Sequence, residues 1–475
     1  MKPFGYLIII PNGVGIRNFF CTRFIDLLLE SGRVCVWHAL DEQDLAPFRQ
    51  RWGDAVRWKE LPAIEDGLLE RVTRQAKIHA QLYWQLRLDP ATPIQPRRPP
   101  ARRTARWIEQ VSRTLGRAAA GPRRIVWLDR LHQALAARAS HTRAFEHVLA
   151  EERPDAVFCG HQKALRAVPA MLAARKLGIP TATFIYSWDN LPKGRMPVRA
   201  DRYFVWSDFM RRELLALYPD VSADRVRVVG TPQFESYHDA SLIEPRERFL
   251  GGLGLDPRRP VVCFSGDDEL TSPHDPVYLE DLAEGLRAVP AASRPQILFR
   301  RSPVDKSARY DAVLERFPEI AVSDPLWRSA ARGEWSQIVP TREDVALLVN
   351  VVCHSDVVIN VGSTMAMDFA AFDKPAIFIA YDPPAPDAHW SSENIYRLPH
   401  FKTTHELQPV HWARSRGEVA SVVMHALAHP EEKAEARRRW LHLHVEQPMD
   451  GASRRLSDAL GSLARLSAGH ASGAA

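Results

Sequence analysis

Cysteine is scarce in this chain: 5 in 475 residues, Cys21, Cys35, Cys159, Cys263 and Cys353. They are scattered through apolar stretches, odd in number, and form no C-x-x-C pair and no metal-type spacing. Neither disulfides nor a metal site is therefore expected, and the five read as reduced core residues of a cytosolic protein. Long apolar runs are lacking too. Residues 7–10 and 345–349 are among the longest, far short of the roughly 20 residues that a membrane-spanning helix needs. The apolar start at 6–10 is cut off by Pro11, Asn12 and Gly13, with no small-residue cleavage site after it. This predicts a first β-strand rather than a secretory leader. No nucleic-acid-binding signature is present either, so nucleic acid is not an expected partner.

What the chain has is the make-up of an ordinary globular protein, 45% hydrophobic and 25% charged. Its length exceeds what one core organises, so two or more domains are expected. The formal charge is +6, and much of the excess is local. Arg97, Arg98, Arg102, Arg103 and Arg106 crowd around Pro96, Pro99 and Pro100, followed by Arg113, Arg117, Arg123 and Arg124. Two readings are open: a solvated linker and helix face, or contact with an anionic membrane surface.

Residues 6–10 form a short continuous apolar run, the pattern of a strand covered on both faces. A turn follows, then a helical pattern over 17–30 closed by Gly32, then a second strand at 34–37. Such a β-loop-α-β unit implies a parallel sheet. Residues 64–150 carry mainly helical patterns. Strand-like runs return at 155–159, 181–186, 202–206 and 226–229. Residues 234–258 are polar and rich in glycine and proline toward their end, which suits a domain connection. The rhythm then restarts at 261–264, 296–299, 357–360 and 376–379. The expected fold class is α/β: an N-terminal domain over 1–240 with a helical, basic insert at about 64–150, a second domain over 259–440, and a C-terminal helix with a frayed tail over 441–475.

Three loops at the carboxyl ends of predicted strands could carry chemistry, because open α/β sheets place their ligands there. The first is Ile-Asn-Val-Gly-Ser-Thr at 359–364. Gly362 lets the backbone approach a ligand, and Ser363 and Thr364 offer hydroxyls and free N–H groups that favour an anion. Asp368 lies about one turn on, at the rim where a ribose could sit. The plainer reading is a simple N-cap with Asp368 on the helix surface. The second loop, Ser-Trp-Asp-Asn-Leu-Pro-Lys-Gly-Arg at 187–195, gathers an aromatic, a carboxylate, an amide and two cations. The plainer reading is a packed Trp188 beside an Asx turn at Asp189. The third, Val-Gly-Thr-Pro-Gln at 229–233, holds Gly230, which turn chemistry alone could explain. Beyond these, Gly266 precedes Asp267, Asp268 and Glu269, a run more often solvated loop than metal site. Arg300 and Arg301 could clamp phosphate. His161, straight after a strand, suits a general base, although lone histidines are more often structural.

In their order, these segments resemble the GT-B glycosyltransferase-type proteins of the bacterial surface-polysaccharide and CDP-glycerol glycerophosphotransferase-like groups. The resemblance rests on residues 184–195, 201–206, 229–234 and 357–365, with Asp368 and Phe-Asp-Lys-Pro at 372–375. It implies two Rossmann-like parallel-sheet domains facing across a cleft, acceptor on the first and nucleotide-activated donor on the second, with a C-terminal helix crossing back. It also implies metal-independent transfer from a nucleotide-sugar donor, which is substrate rather than cofactor, to a glycan or lipid-linked acceptor at the cytoplasmic side of the membrane. Gly362, Ser363 and Thr364 become diphosphate contacts, Asp368 a ribose contact, and Arg300, Gly266 and Gly230 complete the donor set. Asp189 and then His161 are the candidate bases. One departure is visible: many relatives carry Arg-x-His-Pro where this chain has Arg300, Arg301, Ser302 and Pro303, which leaves room for a non-standard donor. The competing readings are a sugar-nucleotide epimerase or hydrolase on the same frame, and a non-catalytic nucleotide-sugar-binding protein.

Overall fold

Tyr6, Leu7, Ile8, Ile9 and Ile10 are all almost completely buried, as a strand covered on both faces requires. In the computed structural model, which describes residues 4–90, 102–269, 271–329, 338–384 and 390–472, that run is an interior strand of a 7-stranded sheet. Its strands are β1 (Phe4–Ile10), β2 (Gly32–His38), β3 (Val56–Glu60), β4 (Ala156–Cys159), β5 (Thr181–Phe184), β6 (Arg202–Val205) and β7 (Val226–Val228). They pair in the order β3-β2-β1-β4-β5-β6-β7, every pair parallel.

A second sheet follows in sequence. It holds β8 (Val261–Ser265), β9 (Gln296–Arg300) and β10 (Ala321–Ser323). A small antiparallel pair, β11 (Arg328–Ser329) and β12 (Ile338–Val339), intervenes before β13 (Val357–Asn360), β14 (Ala376–Ile379) and β15 (His411–Ala413). The order is β10-β9-β8-β13-β14-β15, again parallel throughout. The chain thus forms two compact α/β units, one comprising Met1–Gln233 with His444–Ala475, the other Phe234–Leu443.

The expected strands are present, and three edge strands join them. β3, β10 and β15 are short or partly exposed and carry too weak an apolar pattern to stand out. The single helix expected at 17–30 is two, Val14–Phe19 and Phe24–Ser31. Thr22 makes the break: its hydroxyl donates to the Asn18 carbonyl at 2.8 Å and accepts from the Phe24 N–H at 3.4 Å, a side chain competing with the helical ladder. The C-terminal helix Ala452–Ser472 belongs to the first unit. Leu456, Leu460 and Ala464 are buried on it, and Arg455 Nε donates to the Val229 carbonyl at 3.0 Å.

The basic insert is a packed layer of the first unit. Its helices Leu68–Leu88 and Pro122–Arg138 face the segment 187–199 and hold it by its backbone. Gln81 Nε2 donates to the carbonyls of Leu191 and Gly194, both at 2.9 Å, Gln85 Nε2 to that of Pro192 at 3.0 Å, and Lys77 Nζ to that of Pro197 at 2.8 Å. Beneath these bonds lies a buried ion cluster. Asp129 meets Lys77 at 3.1 Å, Arg195 at 2.5 Å and Arg199 at 2.8 Å. Burial alone would raise its pKa, yet the three cations hold the Asp129 carboxyl well below the usual range.

Removing the anion leaves buried Lys77 and Arg195 without their counter-charge and Arg199 with Asp220 alone, a change that costs about 3–5 kcal/mol. Asp129→Asn should lower the stability of the first unit by that order in urea denaturation and make residues 187–199 newly susceptible to limited proteolysis. Wild-type stability in this variant would mean that the cluster contributes nothing.

Candidate functional site

Strands on either side of β1 and β4 wind away in opposite directions, so the loops at their carboxyl ends diverge and leave a crevice. Asn12, after β1, and His161, after β4, meet there: Asn12 Nδ2 lies 2.8 Å from His161 Nδ1. With the amide nitrogen donating, Nδ1 accepts and the ring proton sits on Nε2. Burial, then Lys163, pushes the His161 pKa down to about 4. The imidazole is therefore neutral at pH 7 and a weak base, better suited to hydrogen bonding than to taking a proton. Its ring packs on Tyr186, centroids 5.2 Å apart.

Three buried amide atoms around this crevice have no hydrogen-bond partner among the described residues: Asn12 Oδ1, Asn18 Nδ2 and Gln162 Nε2. Their other ends are used. Asn18 Oδ1 accepts from Thr231 Oγ1 at 3.2 Å and the Gln233 N–H at 3.0 Å, and Gln162 Oε1 accepts from the Tyr186 N–H at 2.9 Å. A buried polar atom left unmade costs about 1–3 kcal/mol. Three of them lie together at this strand-end crevice.

Asp189 sits beside this crevice on the segment that the insert fixes. Its Oδ1 accepts from Ser187 Oγ at 2.6 Å and Asn190 Nδ2 at 3.2 Å, and its Oδ2 is paired with Lys193. Trp188 is buried with its ring edge-on to His444, centroids 5.2 Å apart. Glu213, on the helix Asp208–Leu217, was not anticipated from the sequence. Burial first, and the Asp189 charge second, raise its pKa to about 8, and its Oε2 has no partner among the described residues. A carboxyl kept protonated near neutrality beside a charged carboxylate is an arrangement that can divide acid and base roles. A cavity of about 230 Å³ opens along the 193–197 stretch of the same segment, with Arg74, Lys163 and Lys193 on its walls. Gly230 serves a different end: at φ +79° a Cβ would stand 2.8 Å from Arg455 Nη2, so the glycine lets the C-terminal helix approach.

In the second sheet the order reverses between β8 and β13, and the two loops there hold Gly266 and Gly362. A Cβ on Gly266 would stand 2.8 Å from the Tyr310 hydroxyl, so this glycine makes room for a neighbour within the unit. Gly362 has φ +68°, and its Cβ would stand 2.6 Å from Phe401 Cζ. Asn360 Oδ1 accepts from the Ser363 N–H at 2.9 Å and so shapes the loop, while Asn360 Nδ2 is buried and has no partner among the described residues. Ser363 and Thr364 are half-buried, and Thr364 makes no side-chain cap. Asp368 is buried, accepting from the Tyr237 hydroxyl at 2.6 Å. Arg300 points inward as well, paired with buried Asp344 at 2.7 Å. Asp268 is used in a turn, accepting from the Thr271 N–H and hydroxyl at 3.1 and 2.9 Å.

The structure thus groups Asn12, His161, Gln162 and Tyr186 at one switch point, with Asp189 and Glu213 on neighbouring elements of the same unit. It groups Gly266, Asn360, Gly362 and Ser363 at the other. Asn12 and Gln162 could have been found by asking which polar side chains lie two or three residues past a strand end. Glu213 could not, since it reads as one surface position of an ordinary helix. One set of side chains with metal-ligand spacing, His411, His425 and Glu432, lies elsewhere.

No family model and no curated protein sequence matches the chain, but many solved structures share its fold. One is a glycosyltransferase from Rickettsia africae ESF-5, 10% identical, covering 98% of this chain and 99% of that one, with a TM-score of 0.53. Another is the UDP-GlcNAc 2-epimerase from Neisseria meningitidis bound to UDP-GlcNAc, 11% identical over 97% of this chain and 100% of that one, TM-score 0.51. The UDP-GlcNAc 2-epimerase from Methanocaldococcus jannaschii is 12% identical over 92% and 98%, TM-score 0.50. At such identities the likeness establishes the fold, two parallel-sheet Rossmann-like domains.

A side chain at Gly362 meets both a left-handed backbone and the Phe401 ring. Backbone strain of this kind costs about 1–3 kcal/mol, so Gly362→Ala should destabilise the second unit by at least that amount in chemical denaturation. Adding Phe401→Leu should recover only the part due to the clash. Full stability in Gly362→Ala would show that the loop relaxes freely.

Proposed function

We propose that this chain is an enzyme that uses a nucleotide-diphosphate sugar and transfers the sugar to a glycan or lipid-linked acceptor. The observation that carries this reading is the set of unpartnered buried amides at the two topological switch points: Asn12, Asn18 and Gln162 in the first unit and Asn360 in the second. Apolar ligands would leave those groups unsatisfied, while a sugar or a nucleotide would satisfy them. The fold shared with nucleotide-sugar enzymes supports the same substrate class.

In this reading the loop 360–364 receives the diphosphate. Gly362 brings the backbone close, and the Thr364 N–H together with the hydroxyls of Ser363 and Thr364 stabilises the charge that develops on the departing nucleotide. Gly266 shapes the facing loop, and Asp368 acts through Tyr237 on the same unit. Arg300 supports β9 through Asp344 instead of clamping phosphate directly, and Gly230 seats the C-terminal helix. The acceptor binds the first unit. Asp189, oriented by Ser187 and Lys193, takes the acceptor proton, and neutral His161 positions the hydroxyl.

A second reading, C2 epimerisation of the bound sugar, is favoured by Glu213, whose raised pKa supplies an acid beside Asp189. Incubating the protein with UDP-GlcNAc, alone and with acceptor glycans, separates the two. Transfer consumes the donor only when acceptor is present, whereas epimerisation yields the C2 epimer without one. Asp189→Asn should lower the rate by about 10²–10⁴-fold with the UDP-induced rise in melting temperature unchanged. Absence of any UDP-induced shift would overturn the substrate class.

The acceptor would be presented at the cytoplasmic membrane face. Arg97 and Arg98 lie outside the described residues, but Arg102, Arg103, Arg106, Arg113 and Arg117 are all exposed, the last four on the helix Arg103–Ala118. Trp107 is exposed among them, and tryptophan suits the headgroup level of a bilayer. Among the described residues no helix is long and apolar enough to cross a membrane, so the attachment would be peripheral. Each basic residue near an anionic surface contributes about 1 kcal/mol. Vesicle flotation should show binding that needs anionic lipid, weakens with salt, and falls when Arg102, Arg103 and Arg106 become Gln or Trp107 becomes Ser. Equal binding to neutral vesicles would return the segment to a solvated helix face.

A further inference from the structure

His411 opens β15, the outermost strand of the second sheet, so it stands at the amino edge, opposite the strand ends that carry the candidate nucleotide loops. His425 lies on the next helix, Val419–Ala428, and Glu432 in the turn that precedes the helix Ala434–His444. One nitrogen from each imidazole and one Glu432 oxygen lie within 4.8 Å of one another. The His425 Nε2 and Glu432 Oε2 atoms are already in contact, and the two rings of His411 and His425 are 5.8 Å apart, nearly perpendicular.

A second observation is independent of this spacing. His411 is 7% exposed, and its Nε2 is buried without a hydrogen-bond partner among the described residues. A buried imidazole nitrogen with nothing to bond is costly, and a metal ion is one way to satisfy it. We propose that His411, His425 and Glu432 form a binding site for one zinc-class divalent transition-metal ion.

The donor set selects the metal. Two imidazoles and one carboxylate suit zinc and its neighbours and not magnesium or calcium, which take oxygen ligands. In a tetrahedral site, zinc–nitrogen bonds of about 2.0–2.1 Å put two donors on one ion about 3.4 Å apart. The widest separation in the group therefore has to close by up to about 1.5 Å, which exposed His425 and Glu432 can do by side-chain motion. Three protein ligands leave the remaining position to water. The ion would tie strand, helix and turn together at the open edge of the sheet, where unpaired backbone otherwise invites pairing with another chain. Its role is structural and separate from the transfer chemistry.

The test uses tag-free full-length protein stripped of metal by chelation, titrated with zinc chloride at neutral pH by calorimetry, and melted with and without zinc. One zinc per chain should bind in the micromolar range or tighter and raise Tm, whereas magnesium should do neither. Loss of a group that merely supports a ligand weakens metal binding about 10–100-fold. His425→Gln and Glu432→Gln, both exposed and each expected to fold with an unchanged metal-free Tm, should weaken zinc at least that much and abolish the Tm rise. Absence of stoichiometric binding at micromolar zinc, or binding that survives both substitutions, would overturn the proposal and leave His425 and Glu432 as an ordinary surface pair.

Discussion

The placement of the whole 187–199 segment depends on one buried anion. Asp129 is surrounded by Lys77, Arg195 and Arg199, three cations drawn from two parts of the chain that are distant in sequence. The desolvation of four charges is repaid only because they are held at contact distance with further hydrogen bonds around them. Arg195 also donates to Gln81 Oε1 at 3.1 Å and to the Leu217 carbonyl at 3.0 Å. The segment bearing Asp189 is consequently not a surface loop free to sample conformations. It is a strap clamped at its distal half, with Asp189 just ahead of the clamp.

Electrostatics in the two units work by different means. In the first, side chains with displaced pKa values gather, with neutral His161, neutral Glu213 and the Asp189–Lys193 pair on adjoining elements. In the second, charges near the strand ends are largely spent internally, Arg300 on Asp344 and Arg309 on Asp305 and the Asp267 carbonyl. What remains at the β13 loop is neutral: backbone N–H groups, two hydroxyls and an amide. Neutral dipoles can hold a diphosphate without attracting every passing anion, and they need no proton adjustment when charge moves.

The fold was largely legible. Central parallel strands are continuous apolar runs, and their signal survives without any partner information, as 6–10, 156–159 and 357–360 illustrate. β3, β10 and β15 were missed because an edge strand is half solvated and looks like loop. The two helices read as one because apolar spacing continues across Thr22, while the break comes from a hydroxyl whose partner is the backbone. The site was less legible. Gly362 was noticed for its setting, but its necessity depends on Phe401, 39 positions away and unpredictable in contact. Glu213 and Asn18 became visible only through burial. The insert, whose basic stretch read from sequence as a solvated linker or a membrane contact, is what fixes the segment bearing Asp189, since long-range ion pairs have no local signature.

The first unit is written in two instalments. Strands β1–β7 are complete by Val228, yet the helix that covers β1 and β4 begins at Ala452, after the whole of the second unit has been made. On the ribosome, the first sheet must therefore wait with part of its apolar face uncovered while more than two hundred further residues emerge. The cost of closing so long a loop grows only as the logarithm of its length, so the delay is kinetic and not thermodynamic. During that interval the second unit, contiguous in sequence, can fold on its own, whereas the first is exposed to chaperones and to self-association. A nonsense mutation just ahead of Ala452 would harm the part of the protein that was synthesised first.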